Sequence, residues 1–103
     1  MFYIGKNSID MSDKTLFLVQ SSFHTASQHL NGLSHVLSSE DSIVLMGDAV
    51  LHYQHGTLQN FMNVYALYTD LEILGETSHD LISIDYAQFA DLCLKFNRCI
   101  SLK

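Results

Sequence analysis

Four short apolar runs, separated by polar stretches with helical spacing, set the rhythm of the chain. They are Thr15-Leu16-Phe17-Leu18-Val19-Gln20, Ser42-Ile43-Val44-Leu45-Met46, Met62-Asn63-Val64-Tyr65-Ala66-Leu67 and Leu81-Ile82-Ser83-Ile84. Short continuous apolar runs bounded by turn residues read as strands buried on both faces. Between the first two, Phe23, Ala26, Leu30, Leu33 and Leu37 recur at spacings of 3, 4, 3 and 4. That pattern places one apolar stripe on a helix of roughly 14 residues. Three tetrads match a capping box, in which the first side chain accepts from the backbone and the fourth reaches back: Thr25–Gln28, Thr69–Glu72 and Asp85–Gln88. Ser38-Ser39-Glu40-Asp41 reads as a turn. Gly47-Asp48 ends the second strand, and Asp48 is placed to cap a short helix through Gln54 with Gly56 as its stop. Gly75 ends the helix that Thr69 opens. The last helix runs from the Asp85 cap to about Asn97, with Tyr86, Phe89, Ala90, Cys93 and Phe96 on one face. Residues 98–103 read either as a tail or as a short extra strand.

Strand and helix alternate, and that order implies parallel strands joined by crossovers. The predicted fold is α/β, a three-layer α/β/α domain with a mainly parallel sheet of four or five strands. A chain of 103 residues has room for one such core. The domain is expected over 15–103. Residues 1–14, polar in their second half through Ser8, Asp10, Ser12 and Asp13, are expected to be a flexible leader.

Composition narrows the partners. Lys and Arg number 5 against 11 Asp and Glu, a formal net charge of −6. Phosphate contacts supply most nucleic-acid affinity and come from Lys and Arg, so direct nucleic-acid binding is not expected. No apolar run approaches the roughly 18 residues that span a bilayer. The first ten residues lack the pattern of a signal peptide, so the expected compartment is the cytoplasm. Charged residues make up only 16%, against about 25% in an average soluble domain, which suggests that part of the surface is covered by another chain.

In a parallel sheet, ligands meet the carboxyl ends of the strands. Here those ends are Ser21-Ser22, Gly47-Asp48, Tyr68-Thr69-Asp70 and Asp85-Tyr86. They carry no Gly-rich phosphate loop, no nucleophile elbow and no cysteine. Asp48, Asp70 and Asp85 are expected mainly as helix caps, with Asp48 or Asp70 free to face a partner. Cys93 falls on the apolar face of the last helix as a small core residue. Cys99, beside Arg98 in a polar tail, is the one candidate for carrying sulfur, because a neighbouring cation favours the thiolate. His52 and His55 stand three residues apart, a spacing that can share a metal. No third ligand lies near them, so no metal or other cofactor is predicted. His24, His29, His35 and His79 show no partner pattern. Tyr53, Tyr65, Tyr68, Phe61 and Met62 cluster around the second helix and third strand. Aromatic residues and Met are enriched at interface cores, so Asp48, His52, Tyr53 and Tyr68 are the candidates for a partner interface, and no catalytic residue is assigned.

Several segments resemble one family. Leu45-Met46-Gly47-Asp48-Ala49-Val50 resembles the strand-end signature of the TusB/DsrH family. Val64–Leu71 followed by Gly75, and Asp80–Leu92, are similar to its later strand and helix motifs, and Leu16–Phe23 to its opening segment, with Ser22 where a proline is usual. The likeness covers residues 15–96. It implies the DsrE/F-like fold and a non-catalytic place in a heterohexamer with related TusC-like and TusD-like subunits. In the Tus branch that complex relays persulfide sulfur towards 2-thiolation of the tRNA wobble uridine, and the relay cysteine lies on a different subunit. In the Dsr branch it serves sulfur oxidation, and some chains carry a cysteine on the first helix. Residues 23–38 here hold none, a departure that favours the Tus-like reading. The alternatives are a DsrH-like subunit of a sulfur-oxidation complex, or a persulfide carrier using Cys99.

Overall fold

A computed structural model of the chain describes residues 2–5, 14–34, 40–76 and 79–103. Its centre is one six-stranded sheet in the order β1-β6-β2-β3-β4-β5. The strands are β1 (Phe2–Gly5), β2 (Thr15–Val19), β3 (Ser42–Leu45), β4 (Asn63–Leu67), β5 (Ile82–Ile84) and β6 (Arg98–Leu102). Strands β2 to β6 run parallel, in registers such as Phe17 to Ile43 and Val44 to Tyr65. β1 pairs antiparallel with β6 at the edge. The expected three-layer α/β/α domain with a mainly parallel sheet is therefore the observed one, with a sixth, antiparallel strand contributed by residues 2–5.

The continuous apolar runs have the cause expected of them, because alternate residues feed opposite layers. Phe17, Val19, Ile43, Leu45 and Ala66 pack towards helix α1 (Phe23–Leu33) and three 3-10 helices, Gly47–His52, Gly56–Asn60 and Glu72–Leu74. Leu16, Leu18, Val44, Leu67 and Ile84 pack with Leu92 of helix α3 (Tyr86–Lys95). α1 buries Ala26, Leu30 and Leu33, as its stripe predicts; Leu37 lies outside the described residues. Each leucine buried here stabilises the fold by about 1.5–3 kcal/mol relative to exposure.

Helix boundaries depart from the sequence reading. α1 begins at Phe23 with Ser22 as N-cap, so the Thr25–Gln28 box does not form. The amide of Ala26 instead donates to the Ser22 carbonyl oxygen at 2.8 Å, which starts the helical ladder three residues before the predicted cap. The helix expected from Asp48 to Gln54 is a 3-10 helix over Gly47–His52 with Met46 as its N-cap. Gly56 opens the next 3-10 helix instead of stopping the first. There His55 is the cap, its ring accepting from the Thr57 amide. Helix α2 (Tyr68–Leu71) lacks the predicted box; Leu67 is its N-cap, and Gly75, at φ +60°, follows the 3-10 turn that extends it. The Asp85 box forms as expected, with both of its bonds present.

β6 resolves the open reading of residues 98–103: they are a strand inside the sheet, flanked by β1 and β2. Asp41, read as a turn residue, is buried, and its side chain accepts from the Thr15 amide at 3.1 Å while its carbonyl accepts from the Met62 amide at 2.9 Å. It thereby ties the amino ends of β2, β3 and β4 together. Among the described residues, no helix is long and apolar enough to cross a membrane.

Candidate functional site

The parallel strands end on a common rim, where each chain segment leaves the sheet into a helix. Strand β3 leaves through Gly47 at φ +59°, a left-handed conformation that glycine adopts without a Cβ penalty. The amide of Gly47 donates to the Asp70 carboxylate at 2.9 Å. Asp70, expected as the cap of its own helix, instead holds the neighbouring strand end. Asp48 is exposed in the first turn of the 3-10 helix and makes no side-chain cap. Of the three aspartates expected as caps, only Asp85 serves as one, accepting from the Gln88 amide at 2.7 Å.

Aromatic residues crown this rim. Phe23, at the start of α1, stacks on His52 with ring centroids 4.2 Å apart. The His52 Nε2–H donates to the Phe23 carbonyl at 2.6 Å, so one histidine both covers and fastens the head of the helix. Tyr68 and Tyr86 start α2 and α3 and are 51% and 61% exposed. The Tyr86 hydroxyl lies 3.4 Å from Thr69 Oγ1, so the head of α3 touches α2. Phe23 is half exposed although the helical stripe places it in the core, and Tyr86 is exposed although it was assigned to the buried face of the last helix. Both occupy the first position of a helix, where a side chain can reach past the sheet rather than beneath the helix. That position was the signal that could have identified them.

The interface candidates separate into two places. Asp48, His52 and Tyr68 belong to segments leaving the rim. Tyr53 packs against the α1-side core and lines a cavity of about 410 Å³ with His55, Gln59, His79 and Leu81, by the starts of β4 and β5. Phe61 is core, edge-on to Phe17 at 6.1 Å. Tyr65 is half-buried beside the α3-side core, while Met62 is exposed.

His52 and His55 stand with ring centroids 6.3 Å apart. His55 donates from Nε2 to the Asn31 side-chain oxygen at 3.0 Å and accepts from the Thr57 amide at Nδ1, 3.2 Å away. Its nitrogens are thus committed to the fold. Among the described residues, no three His, Cys, Asp or Glu side chains gather in a metal-binding group. Burial lowers the His55 pKa, and the neighbouring His52 adds to the effect.

The thiols lie away from the rim. Cys99 is buried on β6, opposite Leu16 near the amino end of β2. The polar tail assumed for it does not exist, because the segment is an inner strand. Burial, reinforced by Cys93, pushes the Cys99 thiol up to about 11, the reverse of the thiolate that its neighbour Arg98 suggested. Cys93, half-buried on α3, is also raised by burial, although a hydrogen bond with Cys99 opposes the shift.

Residues 20–99 match the model of a family described as DsrH like protein. No curated protein matches the sequence. Among solved structures, the solution structure of protein Tm0979 from Thermotoga maritima shares the fold, with a TM-score of 0.57 and 24% sequence identity, covering 79% of this chain and 92% of that one. The opening motifs, the order of the strands and this match agree: the chain belongs to the DsrH-like (TusB/DsrH) family, whose kind of role is that of a sulfur-relay subunit.

Proposed function

We propose that the chain is a non-catalytic subunit of a sulfurtransferase complex supporting 2-thiolation of the tRNA wobble uridine, and that its strand-end rim faces related subunits of the TusC and TusD type. The observation that carries this reading is the contrast between rim and thiols. The rim exposes Phe23, Tyr68 and Tyr86 beside His52 but carries no thiol, whereas Cys99 is buried in β6 with its thiol raised. A sulfur carrier needs an accessible thiolate, and an interface core needs aromatic surface. The net charge of −6 assigns the contact with tRNA phosphates to other chains of the complex.

Co-expression with TusC- and TusD-type chains, followed by size-exclusion chromatography, tests the reading. Co-elution as one assembly, weakened by Tyr68→Arg, is the expected result. Failure to co-elute in every combination contradicts it. Exposure of the purified chain to a persulfide donor tests the rival role: a stable added sulfur atom on Cys99 would make this chain a carrier.

A further inference from the structure

The chain has two cysteines, and the fold brings them together. Cys93 lies in the last turns of α3 and Cys99 is the second residue of β6. The Cys99 thiol reaches to 3.6 Å from the Cys93 carbonyl oxygen, so the fold sets the second cysteine against the backbone of the first. Their accessibility differs: Cys93 is half-buried, while Cys99 sits behind it at 5% exposure. A reachable sulfur backed by a sheltered one is the arrangement of an attacking and a resolving thiol.

We propose that Cys93 and Cys99 form a reversible intrachain disulfide, closed by hydroperoxides and reopened by thiols. In the first step the Cys93 thiolate attacks the peroxide; the O–O bond breaks, a sulfenic acid forms and hydroxide leaves. In the second, the Cys99 sulfur attacks the Cys93 sulfur. The S–S bond forms, the S–O bond breaks, and the oxygen departs as water with the Cys99 proton. Two thiols are oxidised by two electrons and one peroxide is reduced to two waters. Burial keeps both thiols largely protonated, which slows the first step. The same property makes each a poor leaving group, so the closed disulfide reopens slowly and needs an excess of thiol.

The bond would join the end of α3 to a strand held between β1 and β2. The other end of α3, about 10 Å from Cys93 along the helix axis, carries Asp85 and Tyr86 at the rim. Oxidation would therefore fix the pose of the helix that presents Tyr86. This inference does not depend on the sulfur-relay reading, and its test uses no partner subunit.

The folded protein is treated with hydrogen peroxide and examined by intact mass and peptide mapping after alkylation. The expected result is a loss of about 2 Da, the two thiol hydrogens, with Cys93 and Cys99 in one cross-linked peptide that dithiothreitol separates. In Cys99→Ala, Cys93 should stop at the sulfenic acid and be captured by dimedone, while the wild-type protein gives little capture. Any of three results overturns the proposal: sulfinic acid on Cys93 with Cys99 still alkylatable, disulfides between molecules only, or two unmodified thiols at a peroxide concentration that oxidises the urea-unfolded chain.

Discussion

The two faces of the sheet are covered to different depths. On one, α1 and the 3-10 helices leave Val19, Leu30, Ile43, Leu45 and Val50 without solvent contact. On the other, Leu16 and Val44 are equally sealed, but the covering helix α3 itself buries Leu92, leaves Phe89, Cys93 and Phe96 half-buried, and exposes Tyr86 and Leu94. The first layer specifies the fold, because close-packed interiors penalise every lost methylene. The second is thinner and leaves apolar side chains such as Leu94 and Tyr86 exposed. Exposed apolar surface is thus concentrated on α3 and on the rim, where Phe23 of α1 stacks on His52.

Truncation is the strongest way to break that contrast. Leu30→Ala, on the deep side, should cost about 4 kcal/mol, and Leu92→Ala, on the thin side, about 2 kcal/mol. Urea unfolding of both variants measures the difference. Equal losses would mean that α3 is as integral to the core as α1.

Asp70→Ala comes next. It leaves the Gly47 amide without its acceptor, and an unsatisfied, part-buried donor costs about 1–3 kcal/mol. Asp70→Asn, which can still accept, should recover a measurable part of that loss in the same assay. If Asn and Ala behave alike, the bond to Gly47 contributes nothing. Asp85→Ala should cost about 1 kcal/mol, the usual value of an N-cap, since the Gln88 amide loses its carboxylate acceptor while the residue 85 amide can still donate to Gln88. The loss should appear as a lower thermal midpoint.

The smallest effect is a pH dependence. The folded state lowers the His55 pKa below 6.5, so it favours the neutral ring. The ring's contribution is then fully present above pH 6.5 and is lost as pH falls through the lowered value. Its physical form is the Nδ1 acceptor for Thr57, which protonation removes. Thermal midpoints should decline more on acidification in the parent chain than in His55→Gln. Parallel declines would assign the acid sensitivity to other groups.

The parts of this architecture that were legible in sequence share a cause. The strands and the α1 stripe were legible because burial on both faces imposes an unbroken apolar run and burial on one helix face imposes a 3.6-residue period. The Asp85 box was legible because both of its partners lie within one turn. What failed depended on distant segments. Asp70 resembled a local cap, but its acceptor role goes to Gly47, 23 residues away. Cys99 resembled a tail residue until β1 and β2 closed around β6. The strand ends are legible, and Tyr68 is exposed directly after one of them, whereas Phe23 and Tyr86 are hidden in patterns that suit a core position. Tyr53 was grouped with His52 by sequence proximity, but it lines the cavity by the starts of β4 and β5.

The central claim is that this chain contributes surface, and not a sulfur-bearing atom, to the relay. The most direct measurement is the 2-thiouridine content of tRNA in cells whose only copy of the chain is Cys93→Ala/Cys99→Ala, with folding of the variant verified by its thermal midpoint. The account predicts 2-thiouridine at the parental level. Loss of the modification from a folded variant would contradict it.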